Sequence, residues 1–595
     1  MGFPESPIGA YEGDIIGMLD TGIWPERESF SDEGLGAPPA KWKGICHTAN
    51  NMTCSNKIIG ARFYDTDNIS GPYYDIKSPR DTWGNGSHTA STAAGQAVEN
   101  ASYYGIANGV ARGGVPNARL ALYKVSWGGG CNPADILAAF DDAIADGVEI
   151  FVSFPGLYFS NPVTQGTNRN WGTSINNFHL NGTSFPLVYS GNSGNVSMGV
   201  SPEVARLCLP GILSTLKAKG RVVLCDVLYD GSAAIFAEAV GIIMAFSFDE
   251  VALAFPVPAV TTTDVRAPTV VSFSSRGPNP ITPDILKPDI TAPDANILAA
   301  WSPLAFPSVW MFDDRQVDYY IISGTSMSCP HVTGAAAYIK AAHPTWSPAA
   351  IKSALMTTAT IMDPRKNEDA EFAYGSGHIN PVKAVDPGLV FDASEADYVD
   401  FLCKQGYNTT LLRMITGDSS VCPSTEPGKA WDLNYPSFPL SLLDGKQIQA
   451  SYHRTVTNVG LPNSTYHSHV TMPPSFAVLV EPPVLTFSET GEKKSFTVIV
   501  TGSPIVQVPI VLGAIEWTDG NDHVVRTPIV VFNNNPSIFA SLEDYPHKKN
   551  SHSWEGSTVY HKNGMFNAIR RISFLLVLKV ILNIHETYAS VMSTI

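Results

Sequence analysis

A serine stands at the head of an apolar helical run in Ile322-Ser323-Gly324-Thr325-Ser326-Met327-Ser328-Cys329-Pro330-His331. A serine hydroxyl is a weak nucleophile at neutral pH. To attack a carbonyl it needs an adjacent base, a third group that orients the base, and donors for the oxyanion that forms. A helix start gives Ser326 a favourable dipole, and Gly324 and Thr325 permit a tight turn into the helix. The plain alternative is an N-cap, the usual role of a serine in that position. Asp20, in Leu19-Asp20-Thr21-Gly22, is a carboxylate suited to the third role. It follows the short apolar run Asp14-Ile15-Ile16-Gly17-Met18-Leu19, which reads as a buried parallel strand, and open α/β sheets keep their sites at the C-terminal ends of strands. Asp-Thr-Gly after a strand also suits chemistry by paired carboxylates. The sequence holds one such segment, so that reading needs a second copy of the chain and leaves the Ser326 string unexplained. An Asp in an ordinary turn is the bland reading.

The elements that position these residues read as an α/β unit. Arg119-Leu120-Ala121-Leu122-Tyr123-Lys124-Val125 is a strand, Pro133 to Asp146 has helical apolar spacing at Ile136, Ala139, Phe140, Ala143 and Ile144, and Val148-Glu149-Ile150-Phe151-Val152-Ser153 is the next strand. Strand, helix, strand in that order implies a right-handed crossover and a parallel sheet. From Asn181 to about Asp264 the texture changes to short β-prone runs such as Gly220-Arg221-Val222-Val223-Leu224-Cys225, the pattern of an inserted small domain. The α/β pattern resumes at Val270-Val271-Ser272-Phe273-Ser274-Ser275-Arg276-Gly277-Pro278, and Ser326 to Ala342 is a long helix rich in Ala and Gly. Alternating runs from Trp431 to Phe532, such as Lys494-Ser495-Phe496-Thr497-Val498-Ile499-Val500, predict a β-sandwich.

A chain of 595 residues with 44% hydrophobic residues buries large cores and divides into several domains. With 54 acidic against 38 basic side chains, a formal charge of −16 and no Lys/Arg run, a nucleic-acid partner is not expected. Eight cysteines are too few for a disulfide scaffold but are spaced as local pairs, Cys46 with Cys54, Cys208 with Cys225 and Cys403 with Cys422. Asn-x-Ser/Thr occurs at Asn51, Asn68, Asn85, Asn100, Asn181, Asn195, Asn408 and Asn463, which suits a secreted glycoprotein. The opening Met1-Gly2-Phe3-Pro4-Glu5-Ser6 does not read as a signal peptide. The apolar stretch Ile572 to Leu582 is interrupted by Lys579 and falls short of the ~20 residues that span a bilayer, so no membrane association is expected.

Gly-Thr-Ser-Met-x-Cys-Pro-His around Ser326, together with Asp20-Thr21-Gly22-Ile23-Trp24-Pro25-Glu26, resembles the signatures of the plant subtilisin-like serine proteases of the cucumisin group. Ala134 to Ile144, Ser274-Ser275-Arg276-Gly277-Pro278 and Thr455-Val456-Thr457-Asn458-Val459-Gly460 extend the resemblance over about residues 3 to 532. It implies a secreted endopeptidase acting on protein or peptide substrates, without cofactor or metal. The implied fold is a subtilisin-like parallel sheet flanked by helices over 1–180 and 264–395. A shortened protease-associated insert spans 181–263, a linker 396–430, a fibronectin III-like sandwich 431–532 and an unassigned tail 533–595.

Within this resemblance Asp20 and Ser326 are the charge-relay aspartate and the nucleophile. Trp83-Gly84-Asn85-Gly86-Ser87-His88-Thr89-Ala90-Ser91-Thr92 is similar to the family's Gly-His-Gly-Thr-His-Thr-Ala-Ser-Thr block, and Asn85 stands where that block has its catalytic His. A carboxamide has no useful basicity near pH 7. His88, three residues on, is turned by about 60° and raised ~4.5 Å along the helix from Asn85. In the family that second His packs; its use as a substitute base is the alternative reading, for an active enzyme.

Three further departures accompany Asn85. The family's oxyanion-hole segment, of Ser-Ala-Gly-Asn type, is missing after Phe154-Pro155-Gly156. Gly191-Asn192-Ser193-Gly194-Asn195 imitates it but has the neighbours of the insert. The gap is expected to remove inner strands from the parallel sheet and so predicts unpaired strand edges beside the Ser326 helix. The inhibitory propeptide is expected to be absent, and Asp294 stands where the family usually has Gly. The expectation is therefore a catalytically inactive homologue, with a non-catalytic binding scaffold or a decayed gene product as the remaining readings.

Overall fold

The computed structural model describes residues 13–66, 75–128, 130–153, 161–163, 185–245, 254–262, 269–279, 282–308, 310, 312–367, 369–422, 428–442, 447–504, 510–533 and 591–592. Strand β1 (Ile15–Asp20) is buried along its whole length, as an apolar run without alternation demands. Its neighbours are β2 (Ile58–Phe63), β3 (Arg119–Lys124) and β4 (Ile150–Ser153), all parallel, in the order β2-β3-β1-β4. The register pairs Ile15 with Arg119 and Asp20 with Lys124, so Asp20 emerges at the C-terminal edge of the sheet centre.

Successive side chains of β1 alternate between two helical layers. Ile16 and Met18 pack with Leu122 and Val152 against small residues of helices α1 (Asn85–Ala94) and α3 (Thr325–Ala342), namely Ala90, Ala93, Ala94 and Ala337. Ile15 and Leu19 face the other way, onto Ala139, Phe140 and Ala143 of helix α2 (Pro133–Asp146). The α2 boundaries agree with the sequence reading: Asn132 caps the Ala134 N–H at 2.8 Å, and Gly147 ends the helix at φ 93°. The expected Ser326 helix begins one residue earlier, at Thr325.

The outer edge of β4 is not bare, contrary to the expectation of unpaired edges. Val591–Met592 pairs with Ile150 and Phe151 in parallel, and Asn161–Val163 pairs likewise with Thr291–Pro293. A parallel strand covered on both faces cannot leave its N–H and C=O groups unpaired, and residues from the chain's far end meet this edge. The rest of the 154–184 stretch, where the oxyanion-hole segment is read as missing, lies outside the described residues, as do 572–582.

Leu187–Tyr189, Val222–Cys225, Gly241–Ala245 and Ala259–Thr262 form a separate, all-parallel sheet packed on Val223, Ile242, Met244 and Phe255. Val270 to Pro278, read as a resumption of the α/β pattern, turns at Ser272-Phe273 and runs on as irregular backbone, with Val270 and Val271 buried. The predicted sandwich is present as two sheets closed over Trp517, Phe496, Tyr452 and Ile529. One of these sheets takes its edge strand, Leu389–Val390, from ahead of residue 431, paired with Asn458 and Thr457. All three local cysteine pairs are disulfides: Cys46–Cys54, Cys208–Cys225 and Cys403–Cys422. Among the described residues no helix is long and apolar enough to cross a membrane.

Candidate active site

Two elements meet at the C-terminal edge of the sheet, the end of β1 and the start of α1. Asp20 is 1% exposed. Its carboxylate accepts from the Thr21 N–H at 2.7 Å and from Thr89 Oγ1 at 2.8 Å. With the Asn85 carboxamide turned so that its nitrogen faces the carboxylate, the orientation its surroundings require, it donates to Asp20 Oδ1 at 3.1 Å and Oδ2 at 3.3 Å. Asn85 and Thr89 are four residues apart on α1 and therefore share one face, the face that meets Asp20. Burial pushes the Asp20 carboxyl up to about 7, against the pull of the Thr21 and Thr89 donors. The Asn85 N–H pulls in the same direction as those two.

Sequence reasoning passed over the group that sets this geometry. The residue ahead of α1 is Gly84, in the left-handed region at φ 86°, where a Cβ would come within 2.5 Å of the Trp301 ring. A glycine has no side chain with which to cap a helix. Asp81, fully buried, does so from three residues further back. Its Oδ1 accepts from Thr21 Oγ1 at 2.9 Å, Trp83 N–H at 3.0 Å and Gly84 N–H at 2.8 Å, and its Oδ2 from Ser87 N–H at 2.8 Å and Ser87 Oγ at 2.7 Å. Thr21 Oγ1 in turn accepts from Gly86 N–H at 2.8 Å. One carboxylate thus ties the turn after β1 to the first turn of α1, where a negative group also opposes the helix dipole favourably. The signal in the sequence was an acidic residue close ahead of a helix whose preceding glycine cannot cap it.

Ser326 lies half-buried in the first turn of α3, which packs on α1 and β4. The helix is entered through Gly324, whose N–H donates to the Asp294 carbonyl at 3.1 Å. Asp294 itself, the residue expected to be Gly, is fully buried there. Pro330 sits inside α3, and because it has no N–H the carbonyl of Ser326 loses its helical partner. No described residue hydrogen-bonds the Ser326 hydroxyl.

The two imidazoles nearest to these positions in sequence face elsewhere. His88 is fully buried, its Nε2 donates to the Ile297 carbonyl at 2.9 Å, and its ring meets Trp301 edge-on at 6.2 Å. Burial draws its pKa down to about 4. It makes no hydrogen bond to Asp20 or Ser326, so the His88 alternative has no support in the geometry. His331 is likewise drawn down to about 4 by burial and donates from Nδ1 to the Met327 carbonyl at 2.7 Å. The imitation motif around Asn192 lies in the separate sheet, in the turn after Leu187–Tyr189. Among the described residues no group of His, Cys, Asp and Glu could hold a metal ion.

Residues 12–377 match the subtilase family and residues 432–531 the fibronectin type-III domain. Similar proteins include the subtilisin-like protease SBT4.3 of Arabidopsis thaliana, 41% identical over 88% of this chain and 82% of its own length. The subtilisin-like protease SBT4.6 of the same plant is 42% identical over 87% of this chain and 81% of its own.

Two substitutions test this geometry. Asp81→Ala strands several buried donors and should cost about 2–4 kcal/mol in urea unfolding, with Asp81→Asn costing less because one acceptor oxygen remains. Asn85→Asp sets a second carboxyl against Asp20. It should match the wild type within about 1 kcal/mol at pH 4.5, where a shared proton satisfies the pair, and fall behind by about 1–3 kcal/mol at pH 8. An equal loss at both pH values would mean that the two side chains do not face each other.

Proposed function

Because this chain belongs to the subtilase family, we propose that it is a subtilisin-like serine endopeptidase homologue that keeps the protease frame but does not turn over peptide bonds. The observation that carries this reading is the Asn85 carboxamide bonded to Asp20 where the family's base would stand. Attack by Ser326 on a peptide carbonyl requires that its proton leave as the C–O bond forms. A carboxamide nitrogen has its lone pair delocalised into the carbonyl and cannot take that proton near neutral pH. Asp20 cannot replace the base, since its oxygens are occupied by Thr21, Thr89 and Asn85. Loss of the His in subtilisin costs roughly 10⁶ in turnover, which sets the scale of the expected deficit.

The ligand in this reading is a protein or peptide. The three disulfides favour an oxidising compartment, and Asn51, Asn100, Asn408 and Asn463 are exposed sequons, which fits a secreted glycoprotein. The parallel sheet between Leu187 and Thr262 fits a protease-associated insert.

Treatment with a fluorophosphonate serine probe tests the proposal. The unmodified chain should remain unlabelled at Ser326 and leave a casein substrate intact; labelling would overturn the proposal. Labelling restored in Asn85→His would identify the missing imidazole as the sole deficit, whereas an unlabelled Asn85→His would place a second deficit in the stretch after Gly156.

A further inference from the structure

The chain passes from the α/β layer into the sandwich's edge strand Leu389–Val390 through Val385 to Gly388, and the carbonyls at both ends of that segment are pinned. The Val385 carbonyl accepts from His343 Nε2 at 2.7 Å, and His343 caps the C-terminal end of α3, the helix that begins at Ser326. Three residues on, the Gly388 carbonyl accepts from the N–H groups of Val459 and Gly460 at 2.9 and 3.1 Å, inside the sandwich. Gly388 is at φ 76°, and a Cβ there would come within 2.5 Å of Tyr466 Oη and 2.8 Å of the His523 ring. Between the two pinned carbonyls lies Asp386.

His523 ends the loop between the strands Ile510–Thr518 and Val524–Asn533. Its Nδ1 is 2.8 Å from Asp519 Oδ2 in the same loop, and its Nε2 is 3.1 Å from Asp386 Oδ1 in the connecting segment. Both ring nitrogens therefore face carboxylate oxygens. A neutral imidazole has one N–H, so in that state one nitrogen would present a lone pair to an anion. The imidazolium supplies a donor to each.

We propose that His523 is an acid-dependent clasp that fastens the sandwich to the segment closing the α/β layer, tight when the ring carries both protons and loosened when it loses one. The groups facing the ring are Asp519 from its own loop, Asp386 from the connecting segment and the Tyr466 ring, 6.5 Å away, from the strand Ser464–Thr471. Burial alone would lower the pKa of His523, but Asp519 and Asp386 outweigh it and carry the value above the ordinary 6.5. Burial also opposes ionisation of Asp519, yet the N–H of Asn521 and the His523 ring hold its carboxyl below 3.8. A raised histidine stabilises fully below its unfolded pKa, and that contribution is lost as pH rises through the folded value. A depressed aspartate stabilises above 3.8 and is lost below it. The clasp is therefore closed in mildly acidic solution, between these limits, and opens toward alkaline pH.

Thermal unfolding of the full chain at pH 5.5 and 8.5 tests the clasp in the wild type, His523→Gln and Asp386→Asn. Side-chain exposure is 15% at His523 and 71% at Asp386, so the Asp386 variant should fold whatever happens to the His523 one. Both variants should melt about 2–4 °C below the wild type at pH 5.5 and within about 1 °C of it at pH 8.5. Limited proteolysis of the segment joining the two units should be several-fold faster in both variants at pH 5.5 and equal to the wild type at pH 8.5. A deficit of the same size at both pH values, or no deficit in Asp386→Asn at pH 5.5, would overturn the proposal.

Discussion

A carboxylate sealed at the end of a parallel strand must be met by hydrogen-bond donors, and the arrangement around β1 follows from that requirement. Asp20 is placed by the all-buried run Ile15–Asp20, whose two faces are each covered by helices, so water cannot solvate the charge. An unpaired carboxylate in that place would cost several kcal/mol or take up a proton. The donors come from the next residue, Thr21, and from one face of α1. Whatever residue stands at position 85 must satisfy this demand before it can perform any chemistry.

The demand is met by a helix whose own start needs support. Gly84 brings the chain past Trp301 in a conformation that leaves the first N–H groups of α1 without a local cap. Asp81 accepts from two of the backbone donors there, Gly84 and Ser87, and from Thr21 beside Asp20, so the helix start and the strand end are tied to one carboxylate. None of these bonds involves the side chain of residue 85. The tie between helix start and strand end is accordingly independent of residue 85, whose side chain is left the single structural task of donating to Asp20.

How much of this could be read in advance divides along physical lines. The strands β1, β3 and β4 and the helix α2 were legible because burial on both sheet faces produces unbroken apolar runs, and because Asn132 and Gly147 punctuate the helix they flank. The disulfide pairs were legible from close spacing. Asp81 was not, since its five partners are mostly backbone N–H groups, which carry no sequence signal. The pairing of Val591–Met592 with β4 was not legible either, because any short apolar segment can satisfy a parallel edge and the two partners are over 400 residues apart. Val270 to Pro278 misled because its small and apolar residues fit a strand pattern, while the backbone turns at Ser272-Phe273 and the Arg276 side chain is held by Asp369 rather than by a neighbouring strand.

The identity of the residue at position 85 is itself explained by the two tasks an imidazole performs in such a site. One ring nitrogen donates to the buried aspartate, and the other, one bond further out, receives the proton of the serine. An asparagine reaches about as far as the first nitrogen and carries N–H groups there, so it satisfies Asp20 as the ring would. It has nothing at the position of the second. An aliphatic side chain would have left Asp20 short of a donor and threatened the fold; a carboxylate would have added repulsion. The carboxamide keeps the half of the interaction that satisfies Asp20 and, in the proposed reading, lacks the half that would accept the serine proton. A well-ordered site is therefore compatible with the proposed loss of activity.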